Sequence, residues 1–340
     1  MSPIQQMLLG SSSGDPGPDI DDVFHVHTYT GNGSNRSFNT GLDFDEHGGM
    51  VWNGSRNQEV EDMTAQKARG TVSVNIGFDG NNDSNSTYFK TWDDDGYSIG
   101  SDSGGNGYWN RSNKTYVNWG WRNCDNFFKE LTFTGNGNSS GQTITHGLGS
   151  TPGFIILRGD YGRVICYHRS MGNSKYMTID DNSLQQNLGS GQSWSVGSTT
   201  FNAPGAQDLN MNNNDYSVYV FADHSGDTGT FGSSGSKKAI VCDSYTGNGN
   251  SSGPSVTVGF QPQFLLINSY GGSDPGSGNM WFFDSERGFD KTMNQTKAVE
   301  NDSGSSWMSV SSTGFSPTTS SSQVNENGTY YWYVAIAAST

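Results

Sequence analysis

The chain is short of apolar residues and short of charge. Of its 340 residues, 31% are hydrophobic and 15% charged. Content this low usually means disorder, because too little surface can be buried to offset chain entropy. Disordered chains are also poor in aromatics, and this one is not: Trp 9, Tyr 15 and Phe 18 bring them to 12%. Ala, Glu, Lys and Leu are scarce, which excludes long helices and coiled coils. No run approaches the roughly 20 apolar residues that span a bilayer, so membrane insertion is not expected. Only three cysteines occur, Cys124, Cys166 and Cys242, with no CxxC pair. They support neither a zinc site nor a redox motif and read as buried thiols. Basic residues are few: Lys+Arg 18 against Asp+Glu 33 leaves a net charge of −15. Phosphate backbones attract basic surfaces, so no nucleic-acid partner is expected. The first residues lack a basic stretch and a long apolar core, so no signal peptide is read and folding in a cytoplasm is expected.

What is abundant is Gly (47 residues), with Ser and Asn beside it. Aromatic and β-branched strands joined by Gly/Ser/Asn turns account for both the low apolar content and the high aromatic content. The chain also repeats itself. Thr30-Gly31-Asn32-Gly33, Thr134-Gly135-Asn136-Gly137 and Thr246-Gly247-Asn248-Gly249 each follow an aromatic residue, and their first glycines lie 104 and 112 residues apart. A period of this size means tandem domains rather than a solenoid. After each comes an apolar run, Gly49-Met50-Val51-Trp52, Phe154-Ile155-Ile156-Leu157 or Phe264-Leu265-Leu266-Ile267, that reads as a strand covered on both faces. Each copy closes on an aromatic strand around Thr115–Trp121, Asp215–Phe221 or Thr329–Ala335.

These features predict an all-β chain: three tandem antiparallel β-sandwiches, jelly-roll-like, after a short N-terminal arm. The boundaries read as arm 1–22, first sandwich 23–125, second sandwich with its linker 126–236, and third sandwich 237–340. Equivalent buried strands are expected to hold Val51, Ile156 and Leu266. Only Val60–Ala68 hints at a turn or two of helix. The linker before copy two is tight and the one before copy three, Ser225–Ser236, is Gly/Ser-rich, so copies one and two are expected to pack rigidly while copy three swings. In the arm, Ile4, Met7, Leu8 and Leu9 stand on a polar tail, as a partner-docking peptide would place them.

Residues that could do chemistry are sparse. His25 and His27 share one strand face, a geometry open to a metal. Their counterparts in the other copies, Lys129 and Leu131, then Val241 and Asp243, argue against a metal as the role of the unit. Asp93-Asp94-Asp95-Gly96 could meet a calcium ion, but it lacks EF-hand spacing and falls where every copy turns into a strand. Asp180-Asp181-Asn182 is a weaker version. There is no Gly-Lys-Ser/Thr for phosphate and no Gly-x-Ser-x-Gly elbow. A carboxylate pair for glycoside hydrolysis leaves no sequence mark, and no acidic position recurs in all three copies. No catalytic residue, metal or cofactor is therefore assigned. Aromatics offer more: Trp92, Tyr108, Trp109, Trp194, Tyr270 and Trp307 lie in turn-rich segments. Exposed rings there would stack on sugars beside Asn and Asp hydrogen bonds, with Trp109 and Trp307 the first candidates for ligand binding. The alternative is that these rings fill small cores.

Several motifs taken together point to a family. Tyr245-Thr246-Gly247-Asn248-Gly249, Val258-Gly259-Phe260-Gln261-Pro262-Gln263-Phe264-Leu265-Leu266-Ile267, Phe283-Asp284-Ser285-Glu286-Arg287-Gly288, Ser312-Thr313-Gly314-Phe315 and Asn327-Gly328-Thr329-Tyr330-Tyr331-Trp332 resemble a unit of virion structural proteins (tail or tail-fibre-like) of marine tailed bacteriophages such as cyanophages. The arm, Pro3 to Gly10, is similar to the start of such proteins. The second copy departs, with His168-Arg169-Ser170-Met171-Gly172 for Arg-Gly and Thr199-Thr200-Phe201 for the last turn. The resemblance implies a non-enzymatic virion component assembled in the host cytoplasm, most simply a fibre or adhesin subunit that contacts host glycans. A capsid or tail decoration protein is the alternative, and a polysaccharide depolymerase is a further one. It implies other virion proteins as partners of the arm, and a homo-oligomer.

Overall fold

The computed structural model describes residues 18–60, 62–76, 88–102, 107–179, 183–226, 231–232, 234–273, 278–295, 299–301 and 306–339. The arm residues Ile4, Met7, Leu8 and Leu9, and the Asp180–Asn182 motif, lie outside them. The rest is strand and turn. Among the described residues the one α-helix is a single turn, Phe44–His47, and the expected helix near Val60–Ala68 is instead strand Met63–Gln66 followed by a 3₁₀ turn. All four strand residues are buried, so they lack the polar face an amphipathic helix would need.

Each copy is a sandwich of one large and one small antiparallel sheet. In the first, the large sheet runs Phe24–Thr30, Thr115–Arg122, Gly49–Ser55, Met63–Gln66, Ser73–Asn75, and the small one Arg36–Asn39, Gly96–Ile99, Phe89–Asp93. The second repeats this order with a sixth strand on the large sheet, and the third repeats the five-plus-three arrangement. In every copy the first strand pairs with the closing strand, and the second strand pairs with its neighbour across the small sheet. The jelly-roll likeness is confined to these pairings. The closing aromatic strand is central each time, which is why aromatics occupy both its faces.

Those two faces serve different cores. One packs on the copy's own small sheet: Val51 and Tyr116 in the first sandwich, Leu265, Ile267 and Tyr331 in the third. The other meets the remaining two sandwiches. Met50, Trp52, Trp119 and Trp121 from the first, Phe154, Ile156 and Phe221 from the second, and Phe264, Leu266, Phe282, Trp332 and Val334 from the third belong to one continuous cluster. Rings interlock across it: Trp121 lies 5.9 Å from Phe221 and 5.6 Å from Phe264, and Phe154 lies 5.3 Å from Trp332. At its centre, side chains from all three copies leave about 10 Å³ unfilled.

The sandwiches therefore form a ring, and the ring closes head to tail. In each junction the fourth strand of one large sheet meets the closing strand of the next copy. Between first and second, the Thr64 and Tyr219 hydroxyls are 3.0 Å apart. Between second and third, His168 stacks at 4.9 Å on Trp332, and its Nε2 donates to the Tyr333 carbonyl at 3.1 Å. Between third and first, Trp119 Nε1 donates to Asp284 Oδ2 at 3.0 Å while Phe282 stacks on the same indole at 4.9 Å. A heterologous contact that closes after three copies is the geometry of a cyclic trimer, here made by one chain.

One expectation is corrected and one is met with a difference in register. Copy three does not swing apart from the others: its Phe264, Leu266 and Phe282 lie in the common core. The residues on either side of the Gly/Ser linker meet, with His224 N donating to the Ile240 carbonyl at 2.9 Å. Val51, Ile156 and Leu266 do sit on equivalent buried strands, but not at equivalent positions. Register pairs Met50 with Gln66, Phe154 with His168 and Phe264 with Asp284. Trp52 is therefore the counterpart of Ile156 and Leu266, and the one-residue offset turns Val51 to the opposite face. Replacing Phe264 by Ala is expected to cost about 3–5 kcal/mol, measured as the shift in a denaturant midpoint. A loss under about 1 kcal/mol would show that the common core is not tightly packed.

Candidate functional site

The recurrent Thr-Gly-Asn-Gly turn is a clasp. In the first copy Asn32 N donates to Asn110 Oδ1 at 3.0 Å and Gly33 N to the Asn110 carbonyl at 2.8 Å. Asn110 Nδ2 returns a bond to Asn32 Oδ1 at 3.2 Å. Asn210 treats Asn136 the same way, and Asn325 treats Asn248 the same way. Six residues on, a tyrosine locks the loop: the hydroxyls of Tyr116, Tyr216 and Tyr331 each accept from the N–H after the asparagine and donate to a carbonyl before it. The first glycine of each turn has no room for a side chain, because a Cβ would collide with the carbonyl of Arg111, Met211 or Glu326. Buried amides satisfied on all sides are expensive to lose. The motif that revealed the repeat is thus a structural lock, not a ligand loop.

The residue before each clasp asparagine is Trp109, Leu209 or Val324, and all three are fully buried. Trp109 packs edge-on to Phe89 at 5.6 Å in the first core. Trp307 is 7% exposed and lies parallel to Trp281 at 6.3 Å in the third. Neither presents a face to solvent, so neither offers a stacking platform for a sugar. The same holds for Trp92, Tyr108 and Trp194. Tyr270 is half-buried. The comparison of Trp109 with Leu209 and Val324 was available in the sequence as an apolar–Asn pair six residues before a tyrosine.

The polar candidates resolve into local structure. His27 packs on Phe38 at 4.7 Å, and burial drives its pKa down to about 3. Asp95 closes the turn between two strands of the small sheet, its carbonyl accepting from Thr40 N at 2.7 Å and its carboxylate from Gly41 N at 3.1 Å. Asp43, Glu46 and His47 cluster on the short helix, where Asp43 caps Glu46 N at 2.9 Å. Cys166 and Cys242 are buried and Cys124 is half-buried.

Buried charge is concentrated where the ring closes. Arg287 and Asp284 are fully buried and bonded at 2.6 Å, and the guanidinium lies 5.4 Å over Trp119. Arg56 of the first copy pairs with Glu300 of the third at 2.9 Å. Beside them Asp62 accepts from Trp52 Nε1 at 2.9 Å, and burial lifts its pKa to about 7 against the pull of that bond and of Arg287. At the first–second junction Glu130 accepts from Ala68 N at 3.2 Å, and burial again raises its pKa to about 7.

The ring has two distinct ends. Strands Phe24–Thr30, Phe128–Thr134 and Ile240–Thr246 all start at the end that carries the linkers and run toward the clasps. The linker end holds a groove of about 420 Å³ with Ile20, Phe231, Phe260 and Ala337 in its lining and Asp19, Lys237 and Lys238 at its edge. The base of the arm, residues 19–22, sits there, tied by Lys237–Asp19 at 3.6 Å and by Ser339 Oγ donating to Asp21 at 2.6 Å. Of the four exposed large apolar or aromatic side chains among the described residues, Tyr161, Met211 and Tyr330 lie at the clasp end.

Asp62 and Glu130 make stability depend on pH. Their pKa values are raised in the folded chain, so between about pH 4 and 7 the folded form holds protons that the unfolded form has released. Stability from this source is complete below the ordinary carboxyl range and is lost as pH rises through about 7. Asp62→Asn should therefore shrink the fall in melting temperature between pH 5 and pH 8 relative to the parent chain. An unchanged fall would show that Asp62 is not protonated in the fold.

A search among curated proteins finds no match. Residues 19–340 match the family described as Domain of unknown function (DUF7483), a span that takes in all three sandwiches and the last residues of the arm. The match covers most of the chain, and the protein is a member of the DUF7483 family.

Proposed function

We propose that the chain is a structural component of a bacteriophage virion, a tail-associated fibre or adhesin subunit held to the particle by its arm and facing the host with its clasp end. The carrying observation is the polarity of the ring. The base of the arm, Asp19 to Asp21, lines an apolar groove at one end, and exposed tyrosines sit at the other. A binding role of this kind needs a rigid body, a tether and a display surface, and it needs no reacting group. The sequence resemblance supports a virion setting. The net charge of −15 keeps the body soluble and disfavours simple electrostatic capture on an anionic cell surface. Attachment then rests on stacking and hydrogen bonding, made effective by several copies on one particle.

A decoration protein is the second reading. It is favoured by the burial of Trp109 and Trp307, which leaves neither ring open to a sugar.

Both readings place the anchor in Ile4, Met7, Leu8 and Leu9. Deleting residues 1–12 should leave a soluble protein with the parent melting temperature that no longer incorporates into particles, as read by mass spectrometry of purified virions. Normal incorporation of the truncated chain would defeat the proposal.

A further inference from the structure

Features present in all three copies build the fold. Features present in one copy are where a repeat has been put to a separate use, and two such departures stand at the clasp end of the second and third sandwiches. The first concerns strand Pro262–Gly272, which is 11 residues long against 7 and 8 for its counterparts Gly49–Ser55 and Pro152–Gly159. Its extra length contains a bulge between Ser269 and Gly271 that neither counterpart has there. A bulge leaves one residue outside the ladder and re-aims its side chain. Here that residue is Tyr270, whose ring lies 6.0 Å from Tyr330, itself 47% exposed. A Cβ on Gly271 would stand 3.2 Å from Gln185 Nε2 of the second sandwich and 3.7 Å from the Tyr330 ring, so a glycine lets the two copies meet at this pair.

The second departure concerns the facing loops. Gln207 and Asp208 are consecutive non-glycine residues in the left-handed region, at φ 55° and 65°. Such backbone is costly and collects at binding sites. Tyr176 ties these loops together, donating to Gln186 Oε1 at 2.8 Å and lying 3.1 Å from Gln207 Oε1. Next to them Tyr161 is 64% exposed, yet its backbone is clamped from both sides by buried Asn214, at 2.9 Å each way. A fixed backbone spares the ring the backbone part of the entropy cost of binding.

We propose that Tyr270, Tyr330 and Gln185, flanked by the Gln207–Asp208 loop, bind a neutral glycan. Ring faces match the apolar faces of hexoses, and carboxamides match their hydroxyls. The named side chains carry no cation, and the chain is acidic, so an anionic sugar is disfavoured. The inference rests on the attachment reading and names its ligand class.

The full chain should be applied to a printed array of neutral hexose and N-acetylhexosamine oligosaccharides at 50 mM and 500 mM NaCl. Expected are hits retained at high salt, lost at least tenfold in Tyr330→Ala and weakened in Gln185→Ala, with unchanged melting temperatures. Tyr330→Phe should keep them. A blank array, or hits indifferent to both Tyr330→Ala and Gln185→Ala, overturns the inference. Particle incorporation is scored separately: a blank array with normal arm-dependent incorporation removes the glycan site alone, whereas incorporation without the arm removes the virion anchor and leaves the array result standing.

Discussion

One apolar core shared by three sheets holds this molecule together. Each large sheet is apolar on both faces, and its small sheet covers only one of them. The other face carries Phe264, Leu266, Phe282 and Trp332 in the third copy, with Met50, Trp52, Trp119 and Trp121 as the first copy's share. Aromatic side chains bury on the order of 150–250 Å² each, and at about 25 cal/mol per Å² a sandwich alone would forfeit several kcal/mol by leaving them wet. Sharing also explains how a chain with 31% hydrophobic residues folds at this size: one central core does for three copies what separate coverings would otherwise require.

The repeat, the strand character and the central place of each closing strand are legible in the sequence, because alternation and spacing follow from backbone geometry. The ring is not. Its junctions use the same pair of strands at different positions and with different chemistry: a Thr64–Tyr219 hydroxyl pair, a His168–Trp332 stack and a Trp119–Asp284 hydrogen bond. No recurring residue type marks them, so the linkers were the remaining guide, and the Gly/Ser content of Ser225–Ser236 points to freedom that the core removes. Trp109 misleads for a related reason. Its turn-rich surroundings suggest exposure, whereas its alignment with Leu209 and Val324 places it inside.

The same comparison among copies separates scaffold from use. The Asn110, Asn210 and Asn325 clasps recur and fix the turn that opens every unit. The Tyr270 bulge and the Gln207–Asp208 loop do not recur, and they stand at the end opposite the arm. The matched family span begins at residue 19, so it takes in the ring and leaves out residues 1–18, the apolar positions Ile4, Met7, Leu8 and Leu9 among them.

Differential scanning calorimetry of the intact chain tests the shared core most directly. A single unfolding transition, moved as a whole by Phe264→Ala in the third sandwich and by Trp52→Ala in the first, is the predicted result. Three separable transitions, with each substitution shifting only its own, would contradict it.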